Sequence, residues 1–85
     1  MIETGTVVIS SAGRDGGGWF VVARADGGYV YIADGKERGL LSPKKKNIRH
    51  VRATKNSIEL SELTDKGLRR ALRLLREQSI AEESE

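Results

Sequence analysis

The chain has 85 residues, with 15 Lys+Arg against 12 Asp+Glu, a formal net charge of +3, one histidine and no cysteine. That length sets one small domain, which buries only about 60% of the surface its unfolded chain exposes, and the missing cysteine excludes a disulfide framework or a thiolate metal site. No apolar run approaches the roughly 18 residues of a membrane span and no basic n-region precedes Ile2, so the expected setting is the cytoplasm, with no membrane partner.

The charge is unevenly spread. Residues 36–55 hold eight bases (Lys36, Arg38, Lys44, Lys45, Lys46, Arg49, Arg52, Lys55) and one acid, Glu37, while residues 77–85 hold four glutamates and no base. A localised positive field attracts polyanions.

The first half reads as strands. Residues 6–9 form a β-branched run introduced by Gly5, and residues 19–23 and 29–33 are rich in Val, Ile and aromatics. Asp26-Gly27 between the last two is a tight-hairpin signal. Asp34-Gly35 is a second such turn, predicting a fourth strand over 36–41 that Pro43 ends, since proline cannot donate to a ladder. Residues 47–53 alternate imperfectly and predict a fifth strand. Five short strands joined by tight turns point to a mostly β fold, a small antiparallel barrel. The expected core is Val7 or Val8, Ile9, Phe20, Val22, Val30, Ile32, Leu40 and Ile48, with the inward parity of each strand open.

The last third reads as helix. Thr64 is a good N-cap with Asp65 in the first turn, and Leu68, Leu72 and Leu75 recur at helical spacing. The expected helix spans 64–78, packed on the barrel by its leucines, with residues 57–63 ambiguous between strand and turn. The organisation is a barrel over 1–56, a connecting segment and helix over 57–79, and an acidic frayed end over 80–85. Arg69, Arg70, Arg73 and Arg76 line an adjoining face. They either extend the basic surface or pair with Glu77 and the acidic end.

No catalytic constellation is present. One histidine, no cysteine and scattered acids offer no paired acid and base, so no enzyme activity, cofactor, metal or small-molecule substrate is expected. The stretch AGRDGGGW (12–19) lacks the lysine-serine or lysine-threonine step of a P-loop, and a strand follows it instead of a helix.

Gly5-Thr6-Val7-Val8, the Gly13-Arg14-Asp15 loop, the Trp19-Phe20-Val21-Val22 strand and residues 29–35 together resemble a KOW motif. With Asp34-Gly35, Arg38, Pro43-Lys44-Lys45-Lys46-Asn47 and His50, the stretch 5–53 resembles small bacterial KOW-domain RNA-binding proteins, akin to large-subunit ribosomal proteins of archaea and eukaryotes. Gly16-Gly17-Gly18 stand where such proteins commonly carry a lysine or arginine. The resemblance implies an SH3-like barrel with a C-terminal helix that binds ribosomal or other structured RNA in association with translation. The contacts it implies are Gly13, Arg14, Asp15, Lys36, Arg38, Lys44, Lys45, Lys46, Asn47, Arg49, His50 and Arg52.

The residues support this reading on their own chemistry. Glycines let backbone amides approach a ribose-phosphate chain, Arg14 offers a planar fork, and Pro43 stiffens the approach to three lysines. Trp19, Tyr29 and Tyr31 either stack bases or pack in the core. The alternative is a protein-interaction barrel, for example with transcription machinery, binding through an aromatic groove in a salt-tolerant manner.

Overall fold

A computed structural model describes residues 2–11, 13 and 16–83. Strands β1 (Thr6–Ser10), β2 (Trp19–Asp26) and β3 (Tyr29–Ala33) are followed by β4 (Lys44–Asn47), a 3₁₀ turn (Ile48–His50), β5 (Val51–Ser57) and helix α1 (Asp65–Glu83). The strands form one antiparallel sheet in the order β4-β3-β2-β1-β5. This is the expected mostly β fold with one C-terminal helix.

The sheet is curled. Laid flat, five strands would hold β4 and β5 about 19 Å apart, at about 4.8 Å per strand. Yet only the three-residue 3₁₀ turn joins them, and at about 2 Å per residue it spans about 6 Å. The two sheet edges must therefore approach each other, which gives the barrel-like shape. Two bulges assist the bending. The β2–β3 register shifts between Val22 and Arg24, and the β1–β5 register shifts between Thr6 and Val8. At the second bulge the Thr54 hydroxyl donates to the Val7 carbonyl at 2.8 Å and accepts from the Asn56 amide at 3.1 Å, so the interrupted ladder leaves neither group orphaned.

Both faces of the sheet are buried, which resolves the parity left open by the sequence. Val8, Phe20, Val22, Val30, Ile32 and Val51 fill the concave side, with Ile2 and Ile48 against them. Val7, Val21 and Ala33 lie on the convex side under Leu68 and Leu72 of α1, flanked by Trp19, Leu40 and Leu75. Continuous apolar runs such as Val7-Val8 and Phe20-Val21-Val22 follow from this double coverage. Each fully buried leucine contributes about 1.5–3 kcal/mol, so the leucine stripe holds the helix to the sheet. The radius of gyration, 12.0 Å, matches the roughly 12 Å of a compact chain of this length and leaves no room for a detached helix. Ile9, Leu40 and Ile48, expected in the core, are half-buried.

The fourth strand is not where the sequence placed it. After Ala33 the Asp34 side chain accepts from the amides of Lys36 (2.9 Å) and Arg38 (3.0 Å), and the Arg38 carbonyl accepts from Asp34 and Gly35. These local bonds hold residues 34–38 in a turn in place of a ladder. The following residues dock on α1, where Asp65 accepts from the Leu40 amide at 2.8 Å. Gly35 has a φ of +79°, and a Cβ there would overlap the Asp65 carbonyl oxygen. Pro43 thus precedes the strand rather than ending it, and the lysine run itself is β4. The stretch 47–53 is likewise not one strand but the end of β4, the 3₁₀ turn and the start of β5. Thr64 caps α1 as expected, its hydroxyl accepting from the Gly67 amide at 3.1 Å. The helix runs on to Glu83, beyond the expected end at 78 and into the stretch read as frayed.

Candidate nucleic-acid interface

The β1–β2 loop is described at Ser11, Gly13, Gly16, Gly17 and Gly18. Its base is pinned by Gly17 N–H to the Ser10 carbonyl (2.7 Å) and Ser10 N–H to the Gly18 carbonyl (2.9 Å), and Gly16 N–H donates to Gly13 (3.1 Å). Gly13 and Gly17 adopt φ of +74° and +85°, a region glycine enters without steric cost. Gly13, Gly16 and Gly17 are exposed. Arg14 and Asp15, expected as contacts, lie outside the described residues.

The loop meets the lysine strand. Lys46 pairs with Val30 across β3, so it shares the concave side with the core and is only 9% exposed. Its side chain reaches the barrel end, where Nζ lies 3.6 Å from the position a Gly13 Cβ would take. The Ser11 amide donates to the His50 carbonyl at 2.8 Å, which ties the loop to the 3₁₀ turn as well. Gly13, Lys46 and His50 are thereby brought to one end of the barrel, with the His50 and Arg49 residues exposed.

Strand alternation divides the three lysines. Lys44 opposes Ile32 on the side of Lys46, whereas Lys45 opposes Tyr31 on the other side. There the Lys45 ammonium sits 4.3 Å from the Tyr29 ring centroid and the Arg24 guanidinium 4.1 Å from that of Tyr31, two cation–π contacts. The tyrosines are thus outside the concave core, Tyr29 exposed and Tyr31 half-buried, while Trp19 packs against the helix-side core. The Asn47 side-chain oxygen accepts from the Arg49 amide at 2.9 Å; it caps the 3₁₀ turn. Arg52 pairs with Ile9 and lines a groove with Lys55, Leu75 and Gln78, apart from the lysine strand. Arg38 is exposed on the 34–38 turn.

Lys36 lies on the other side of the glycine loop, in a cleft whose walls are Gly16, Gly17 and Gly18, the 34–37 turn and the helix residues Arg69, Arg73 and Arg76. Sequence reasoning noticed these arginines as a helix face but did not place them beside the loop. The i, i+4, i+7 spacing was the available signal.

Among the described residues no cluster of metal-binding side chains occurs, and no helix is long and apolar enough to cross a membrane. Glu59, in the β5–α1 link away from this end, has its carboxyl held below the usual range by hydrogen bonds from the Ser61 amide (3.2 Å) and hydroxyl (2.8 Å). No family model matches the chain, and no curated protein matches it.

Proposed function

We propose that this protein is a cytoplasmic RNA-binding module of the KOW type its sequence resembles, holding ribosomal or other structured RNA in association with translation. The observation that carries the reading is the meeting of Lys46 with the Gly13 loop. A positive head group stands next to the exposed backbone of Gly13, an arrangement suited to ribose-phosphate. Lysine contributes charge with little base information, so recognition is directed by shape and phosphate positions more than by sequence. Crosslinking in cells followed by sequencing of the bound RNA tests this. Reads concentrated on one ribosomal RNA site support it, and recovery of no RNA above background overturns it.

One observation favours a protein-interaction reading. Leu41 is 98% exposed and borders a groove with Tyr31 and Pro43. A protein partner held there would stay bound in 0.5–1 M salt, roughly, where phosphate contacts fail, and would be lost on Leu41→Ser.

A further inference from the structure

We propose that the cleft between the glycine-rich loop and α1 is a second phosphate-backbone site, with Arg69, Arg73 and Arg76 as its principal ligands. It rests on the RNA-binding reading for its polymer but uses a different surface from the lysine strand.

Successive residues of a helix turn by about 100° and rise 1.5 Å, so Arg69, Arg73 and Arg76 fall within about 60° of one another over about 10 Å of axis. They form a row along one edge of the cleft. Its opposite wall is Gly16 to Gly18, where bare backbone lets a chain approach. Phe20, Trp19 and Leu72 supply an apolar floor, which lowers the local dielectric and strengthens charge-assisted bonds to the guanidinium forks. Lys36 adds a fourth cation.

Two acids also line the cleft, Asp34 and Glu37. Asp34 already accepts the amides of Lys36 and Arg38 through Oδ1. Among the described residues, Arg69, Arg73 and Arg76 make no ion pair or side-chain hydrogen bond, and all three are exposed. The Arg69 stem runs beside the 34–38 turn: its Cγ lies 3.1 Å from where a Gly35 Cβ would stand.

The test uses the full chain and a single-stranded uridine dodecamer, followed by ¹⁵N-resolved NMR and by fluorescence anisotropy over a salt series. The site predicts shifts at Gly16, Gly17, Gly18, Lys36 and the three arginine Nε groups. Changing the arginines together to Gln should lower affinity at least tenfold at low salt and flatten log affinity against log salt by about two, at about 0.7 per single-strand phosphate contact. Changing them to Lys should restore most of that slope. Gln keeps the stems that pack on the fold, and an unchanged melting temperature checks this. If the dodecamer shifts only the Gly13, Lys46 and His50 region and the Gln variant binds normally, the cleft is overturned while the RNA-binding reading stands. If it shifts nothing, the cleft is overturned, and the RNA-binding reading is then decided by the crosslinking experiment alone.

Discussion

The glycine-rich loop has a basic neighbour on each side, and the two are built on different periods. On β4, alternation every two residues sends Lys44 and Lys46 toward the barrel's concave side and Lys45 to the opposite face. Three consecutive charges therefore deliver one head group, that of Lys46, to the loop. On α1, charges three and four residues apart collect on one face, so three separated arginines border the same cleft. A charge run is conspicuous in a sequence because its members are adjacent, whereas a surface is made by members that share the period of their element. The lysines also serve β4 as an edge strand, since charge there discourages pairing with another chain.

The comparison can be broken most severely at Phe20, which is 4% exposed, belongs to the concave core and lines the arginine cleft. Phe20→Ala should cost about 3–5 kcal/mol out of the roughly 5–15 kcal/mol typical of a domain, read as a lower urea midpoint. An unchanged midpoint would show that this ring does not support the barrel.

Gly35→Ala should act on the arginine side alone. Left-handed backbone with a Cβ against the Asp65 carbonyl should cost about 2–4 kcal/mol. Amide shifts should concentrate in residues 34–41 and α1, leaving Gly13 and Lys46 in place. Shifts spread evenly over the barrel would mean that the two sides are not separable.

Thr64→Ala removes the cap and should cost about 1 kcal/mol. Hydrogen exchange should speed up in the first turn of α1, at Gly67 above all, and protection there equal to wild type would remove Thr64 from the account. The smallest effect separates two neighbouring lysines. Lys46→Gln should flatten the salt dependence of RNA binding by about 0.7, and Lys45→Gln should leave it within error. Equal losses would mean that the run acts as one patch after all.

The first three strands and the helix were legible because their residues state their own preference: Val, Ile and aromatic runs with an Asp-Gly turn, then leucines at helical spacing behind a threonine cap. β4 was not, because Lys-Lys-Lys-Asn has little strand propensity and becomes a strand only by adding to the edge of β3. The stretch 36–41 misled for the converse reason. It follows a hairpin-like Asp-Gly step, but Asp34 satisfies the amides that a strand would have paired. The parity question had no answer within any strand, since α1 buries the face that a simple barrel would leave wet. Lys36 and the lysine run were legible as basic residues, but the loop's arginine neighbours depend on where α1 crosses the sheet.

The pairing of β1 has a consequence for the order in which the chain is completed during synthesis. One side of β1 bonds to β2 within a few residues, but the other bonds to β5, and the Thr54–Val7 hydrogen bond spans 47 residues of sequence. Closing a loop that long costs only about 0.6 kcal/mol more than closing one half its length, so the delay is one of availability. At about 5–20 residues per second of synthesis, β1 waits roughly 2–9 s for its second partner, with one row of backbone groups unpaired. Nascent chains arrested before residue 51 has left the ribosome should be cleaved by protease near 6–10, and chains arrested well past residue 64 should resist. The strand made first is the one completed last.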